Sequence, residues 1–213
     1  FKTPDGQLLA IGNPSTSTAA NLPDAEKQVA ELQALYGAKG SSVFTRNAAT
    51  EERFKNEAGQ YRVLHLATHA VLDNASPLYS RVLLASPPAG SKEDGFLEAH
   101  EMMDLNLHAE MVVLSGCETA AGDAPAGEGI TGMLWATFVA GVRTTVASLW
   151  QVESASTSEL MVEFHRGWLT GAPPNAPMRK ATAMQAAAQK LIAKAQYEHP
   201  FYWAGFIVAG NAN

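Results

Sequence analysis

Cysteine is nearly absent from this sequence, which holds one thiol, Cys117, in 213 residues. A single cysteine excludes an intrachain disulfide and any metal site built from several thiolates. A lone thiol suits a reducing compartment, so a cytoplasmic protein is expected. Basic charge is also scarce: 15 Lys and Arg face 21 Asp and Glu, a formal net charge of −6 with neutral histidines. An acidic surface repels phosphate backbones and no basic cluster interrupts it, so no direct binding to nucleic acid is expected. No apolar run nears the roughly 20 residues that a membrane-spanning helix needs, and no signal peptide is recognisable. Residue 1 is Phe rather than Met, and the expectation is a domain excised from a longer protein.

What remains is a globular composition, 46% apolar and 17% charged, which argues against extended disorder. The length fits one domain over residues 1–213 better than two very small ones. Short apolar runs at 7–12, 42–45, 61–67, 81–85, 111–114, 144–149 and 206–209 read as strands. Helical spacing marks 24–36, 49–57, 99–104, 130–140, 154–169 and 178–195. Residues 96–97 read as a hairpin partner, and 13–22, 86–95 and 116–129 as loops rich in small and polar residues. The run YRVLHLA (61–67) is apolar nearly throughout, as a strand covered on both faces should be. Strands alternate with helices, which predicts a mostly parallel central sheet with helices on both faces, a three-layer α/β sandwich.

Open parallel sheets bind ligands beyond the carboxyl ends of their strands. Two reactive residues stand just past such ends: His69 after YRVLHLA, and Cys117 after MVVL. Adjacent strands lie about 4.8 Å apart, so neighbouring strands would bring both side chains to one rim. A thiol with a free pKa of about 8.5 is mostly protonated at neutral pH. A histidine beside it favours the thiolate nucleophile and can later protonate a leaving amine. An oxyanion then needs donors already in place, and the backbone amides of Ala70, Gly116 and Cys117 are candidates. The competing reading is that a lone Cys is a small buried hydrophobe.

The segments LHLATHA (64–70) and VVLSGCETAAGD (112–123) resemble the CHAT-domain family, a relative of caspases, legumains and separases. The resemblance continues through GEGITGMLWATFVAGVRTTVASLWQV (127–152) and HPFYWAGFIVAGN (199–211), with GNP (12–14) and LP (22–23) matching the family's opening. It covers nearly the whole chain in order. It implies a caspase-like α/β fold and a cysteine endopeptidase acting in bacterial defence or regulated proteolysis, with His69 and Cys117 as catalytic pair. Its partners would be a protein substrate and helical-repeat regions of the same chain or an activating partner. Two departures stand out. The family commonly has Gly where this chain has Ala70, a change disfavoured if the turn needs φ > 0. It often has Asp where this chain has Ser154, preceded by Glu153. In the wider clan that region helps form the pocket for the residue before the scissile bond, and Ser115 faces the same pocket.

Other residues are weighed on their own positions. Trp150 either floors the pocket or caps the core. Asp73 either orients His69 and lines the pocket or belongs to a polar loop, DNASP. Glu118 is a loop carboxylate or shapes the turn after the nucleophile. His65 and His69 are four apart, about 13 Å along a strand, so both cannot reach one zinc ion at about 2 Å. His65 is therefore expected to be a core histidine with its hydrogen bonds met. His100, His108, His165 and His199 are expected at the surface or in caps, and Met133, Trp135 and Phe138 in the core. GEG (127–129) lacks the Lys and Ser/Thr of a phosphate-binding loop. The chemistry needs no metal or organic cofactor. The rival readings are an inactive CHAT-like module that binds partners without cleaving them, and a thiol hydrolase of small amides or esters.

Overall fold

The structure, a computed structural model, describes residues 4–116, the backbone of 118–119, and residues 127–171 and 179–211. Six strands form the larger sheet: β1 (Gly6–Pro14), β2 (Ser41–Arg46), β3 (Tyr61–Ala67), β7 (Met111–Leu114), β9 (Thr144–Ser148) and β10 (Phe206–Gly210). Their order is β10-β9-β7-β3-β1-β2, parallel throughout except that β10 runs antiparallel to β9. A second sheet of four short strands has the order β6-β5-β4-β8, from β4 (Ala70–Leu72), β5 (Arg81–Leu83), β6 (Phe96–Glu98) and β8 (Glu118–Thr119). The helices are α1 (Pro23–Tyr36), α2 (Glu51–Glu57), α3 (Ala99–Met103), α4 (Glu128–Val139), α5 (Ser154–Thr170) and α6 (Lys180–Ile192).

Strand periodicity explains the three layers. Successive side chains point to opposite faces, and in β3 Leu64 and Leu66 join one core cluster while Val63 and Ala67 join the other. In β7 Val112 and Leu114 face the first cluster, Met111 and Val113 the second. Phe54 of α2, Met102 of α3 and Met133 of α4 cover the first face; Val29 of α1, Phe164 of α5 and Leu191 of α6 cover the second. Phe54 and Phe164 are fully buried, and each such ring stabilises the fold by about 1.5–3 kcal/mol.

The helix ends follow local chemistry. Pro23 opens α1 with Asp24 and Glu26 in its first turn, where the positive end of the helix dipole favours carboxylates. Thr50 caps α2 by accepting from the Arg53 amide, and Glu98 and Glu101 form a capping box on α3. Between α2, α3 and the 86–95 segment, the Lys55 ammonium lies within 2.8 Å of the carboxylates of Glu51, Glu93 and Glu101. Among the described residues these three carboxylates alone cluster closely enough to suggest a metal ion, and Lys55 supplies the positive charge there.

Three expectations are corrected. Residues 118–119 form a strand inside the segment read as loop, and 70–72 form another; strands of two or three residues are too short to show a period. Trp135 is 61% exposed rather than buried. The inward stripe of α4 is Ile130, Met133 and Ala136, and Trp135, two residues from Met133, is turned about 200° away. His165 is fully buried, for reasons that lie in its tertiary partners. Among the described residues, no helix is long and apolar enough to cross a membrane.

Candidate active site

β3 and β7 are neighbours, with Val63 beside Met111 and Leu66 beside Leu114. Their exits from the sheet stay together. The Ser115 amide donates to the Leu66 carbonyl at 3.0 Å. Gly116 then packs so closely that a Cβ on it would stand 2.1 Å from the Thr68 carbonyl oxygen. Only glycine admits this approach. Cys117 lies outside the described residues. Beyond it, β8 pairs in parallel with β4, Val71 beside Glu118 and Leu72 beside Thr119. The chain on both sides of position 117 therefore runs along the segment that follows β3, which carries His69.

His69 is held on two sides. Its carbonyl accepts from the Leu83 amide at 2.8 Å, and the hydroxyl of neighbouring Thr68 donates to the Leu83 carbonyl at 2.6 Å. Its Nε2 lies 2.9 Å from the Ala20 carbonyl oxygen. A carbonyl can only accept, so Nε2 carries the proton and Nδ1 is the basic nitrogen of the neutral ring. Because His69 bonds to β5, alternation in an antiparallel ladder turns the Ala70 amide away from β5, to the side where β8 runs. Ala70 is not among the described non-glycine residues with positive φ, which are Asn13, Arg46 and His108. The alanine is unstrained there.

The Ala20 carbonyl belongs to a loop that the opening motif secures. Asn13 is 1% exposed with φ of 49°, a conformation asparagine tolerates. Its Oδ1 accepts from the Leu22 amide at 2.7 Å and its Nδ2 donates to Glu26 at 3.0 Å. Arg46 reaches the same loop end, donating to Glu26 at 2.7 Å and to Asn21 at 2.9 Å. The Asn13 hydrogen bond, with the Arg46 pair, lowers the pKa of Glu26.

Beside His69 opens a pocket of about 130 Å³. Ala25 and Gln28 of α1 form one wall, Ser115 and Gly116 the strand end, and Val152, Ser154 and Thr157 the opposite wall. Ser115 and Ser154 both line this pocket. Trp150 lines a neighbouring depression with Glu153 and Phe201, its Nε1 donating to the Phe201 carbonyl at 3.5 Å. Glu153 is the N-cap of α5: its carboxylate accepts from the amides of Ala155 at 3.0 Å and Ser156 at 2.7 Å. Burial raises its pKa, but these hydrogen bonds outweigh that and hold it below the ordinary carboxylate range. Asp73 is spent on its own turn, accepting from the amides of Ala75 and Ser76 at 2.9 and 2.8 Å, and does not line the pocket.

His65 is fully buried behind the pocket wall. Its Nε2 meets the Gln28 carboxamide at 2.9 Å and its Nδ1 meets Nε2 of His165 at 3.1 Å. His165 continues through Nδ1 to the Tyr36 hydroxyl at 2.8 Å. Burial pushes the His65 pKa down to about 3. Burial, and then the charge of His65, push His165 well below its usual value. Both rings are neutral at pH 7, so every proton along the chain from Gln28 to Tyr36 points one way. The relay ends at the pocket, because Gln28 is both its first member and part of the wall.

Residue-by-residue reasoning overlooked Ala20, Gln28 and Thr157, which nothing local distinguishes. Asn13 had a signal in the GNP motif, seen only as a resemblance.

A protein-family comparison extends these findings: the model of the CHAT domain matches residues 2–211. Tetratricopeptide repeat protein 28 from mouse is 26% identical over 240 residues, covering 94% of this chain and 9% of its own length. The human protein of the same name is 25% identical over 250 residues, covering 99% of this chain and 10% of its own. The chain thus spans about a tenth of the length of these curated relatives. Among solved structures, a chain of the Saccharomyces cerevisiae separase–securin complex superposes with a TM-score of 0.61 at 15% identity, over 98% of this chain and 12% of that one. Caspase-1 from Spodoptera frugiperda superposes at 0.55 and 10% identity, over 98% and 89%. At these identities the likeness concerns the fold, a caspase-like three-layer sandwich.

Proposed function

This chain belongs to the CHAT-domain family, and from that premise we propose that it is a cysteine endopeptidase whose nucleophile is Cys117 and whose acid/base is His69. The observation that carries the reading is the hydrogen bond from His69 Nε2 to the Ala20 carbonyl, beside a pocket at the ends of two neighbouring parallel strands. It presents Nδ1 as the base. Nδ1 takes the Cys117 proton, and the thiolate forms a bond to the scissile carbonyl carbon while the C=O π pair moves to oxygen. Backbone amides at Gly116, Cys117 and Ala70 are the proposed donors to that oxyanion. When the tetrahedral species collapses, the C–N bond breaks and the imidazolium gives its proton to the departing amine. Water then attacks the thioester with His69 again as base, releasing the acid product and Cys117.

The substrate in this proposal is a protein partner, recognised alongside helical-repeat segments of the same longer protein. The name of the mammalian relatives, tetratricopeptide repeat protein, supports that arrangement. A setting in bacterial defence or regulated proteolysis belongs to the same proposal. The test is labelling of the full-length protein with peptidyl electrophiles, the modified residue mapped by mass spectrometry. Labelling at Cys117 that collapses in His69→Ala supports the dyad. Labelling indifferent to His69 means an ordinary exposed thiol, and no labelling in the presence of partners means an inactive binding module.

A further inference from the structure

His69 also borders a second groove, whose floor is the outer face of the smaller sheet. Alternation along the short strands makes that face. Ala70, Leu72, Val82 and Leu97 pack into the first core cluster. Val71, Arg81, Leu83 and Phe96 therefore point the other way and line the groove. The ladder sets Val71 beside Arg81 and Leu83 beside Phe96. The wall is the 18–20 segment, which carries the Ala20 carbonyl that holds His69. Among the described residues, groove and pocket share His69 alone. Arg81 puts a fixed positive charge in this groove. Its guanidinium carbon lies 4.9 Å from the centre of the Phe96 ring, a stacking that holds the planar group in place. Its carboxylate neighbour among the described residues, Glu98, stands 4.0 Å from Nη1, beyond hydrogen-bond distance. Glu98 is engaged elsewhere, in the capping box of α3 and with His100 Nδ1 at 3.2 Å. The Arg81 side chain keeps 40% of its exposure. Its Nε is shut off from solvent, so a ligand meets the guanidinium through its terminal nitrogens.

We infer that this groove binds the half of the substrate that leaves as the amine, and that Arg81 selects an acidic side chain within the first three residues after the scissile bond. The inference rests on the peptidase reading for the placing of the substrate. In that reading the acyl half stays on Cys117, while the departing amine takes its proton from His69. The amine half therefore lies against that ring, where the groove begins. Val71, two residues past His69, is the strand partner of Arg81. Two residues of extended chain span about 7 Å, so a substrate strand leaving His69 brings its second residue level with Arg81. The length of the arginine side chain extends that reach to the residues on either side. An Asp or Glu carboxylate there matches the planar fork of donors. An ammonium in the same place would be repelled by it. Val71, Leu83 and Phe96 supply an apolar floor, beside which an ion pair is screened less than in open solvent.

The test separates recognition from chemistry. Short alanine-based peptides that mimic the amine product are titrated against the full-length Cys117→Ser protein by calorimetry. Each has a free N-terminus, an amidated C-terminus, and Asp, Asn or Lys at one of its first three positions. Amidation leaves the Asp side chain as the one carboxylate. At one of these positions the Asp peptide is expected to bind about five-fold more tightly than its Asn counterpart, with the Lys peptide weakest. In Arg81→Gln the Asp and Asn peptides should fall within about two-fold of each other. In Arg81→Glu the Lys peptide should become the preferred one, a reversal that a misfolded protein could not give. Equal binding of Asp and Asn peptides overturns the inference, as does an Asp preference that survives in Arg81→Gln, or no binding of any peptide. The wild-type protein is then labelled with peptidyl electrophiles. An Arg81-dependent Asp preference without labelling of Cys117 keeps the groove as an acidic-peptide site and sinks the peptidase reading. His69-dependent labelling of Cys117 with no Asp preference does the reverse.

Discussion

His69 and Ala20 stand 49 positions apart in the chain, yet the imidazole Nε2 and the alanine carbonyl oxygen are 2.9 Å from each other. The carbonyl decides which ring nitrogen is basic, and Asn13 decides where the carbonyl is. Removing the Asn13 side chain should therefore act on His69 without touching it. Asn13→Gly keeps the positive φ accessible, so its effect comes from the lost hydrogen bonds to Leu22 and Glu26. The expected result is about a ten-fold slower reaction of Cys117 with a peptidyl electrophile, which corresponds to about 1.4 kcal/mol, within the scale of the side chain's two hydrogen bonds. A mixed tautomer of His69 in nitrogen NMR spectra should accompany it. A purely structural role would lower stability and leave the tautomer intact.

Gly116→Ala should damage both folding and chemistry. The new Cβ would stand 2.1 Å from the Thr68 carbonyl oxygen, and backbone cannot swing aside as a side chain can. The strand ends must part, at a cost of about 1–3 kcal/mol by the usual scale of overpacking. Urea unfolding measures the loss. Retention of full stability would show that the two strand ends are not in contact.

The two buried histidines make stability fall with acid. The pKa of His65 is down to about 3, and that of His165 also lies well below 6.5. In the unfolded chain each takes a proton near pH 6.5, while the folded protein holds both neutral. The unfolded state thus binds more protons below pH 6.5. Stability is complete above that value and is lost as pH falls toward 3, by up to about 1.4 kcal/mol per pH unit for each histidine. Ordinary carboxylates stay ionised between pH 6.5 and 5, burial raises the pKa of Glu51, and comparison with His165→Gln separates the histidine share. Urea midpoints across that window should decline for the wild type and decline less for His165→Gln.

Glu153→Ala should cost about 0.5–2 kcal/mol, the usual scale for losing an N-cap. The carboxylate bonds two amides at the start of α5, and Glu153→Asp should recover much of the loss. Because its folded pKa is lowered, its contribution is present above the unfolded carboxylate range and fades as pH drops through the folded value. Thermal unfolding at pH 7 and pH 3 checks both statements: the gap between wild type and Glu153→Ala should narrow in acid.

Local pattern was enough for the sheet and its covering helices. The apolar runs at β1, β3, β7 and β9 and the helical spacing of α1, α4 and α5 are written in consecutive residues, where a period of two or 3.6 can be read directly. It was also enough to put His69 and Ser115–Gly116 just past two strand ends, because strand ends are local features. It could not show that those strands are neighbours, since pairing joins residues 48 positions apart such as Val63 and Met111. Nor could it aim a carboxylate. Glu153 stands in the sequence as a carboxylate of the pocket region, and only the backbone, with two amides within 3.0 Å of it, makes it a helix cap. His165 looked like a surface residue because its partners, His65 and Tyr36, lie 100 and 129 positions away. Composition and periodicity determine which faces are buried; only the folded chain decides which polar groups meet there. Hydrogen bonds depend on the distance and direction of single atoms, and those are properties of the tertiary structure alone.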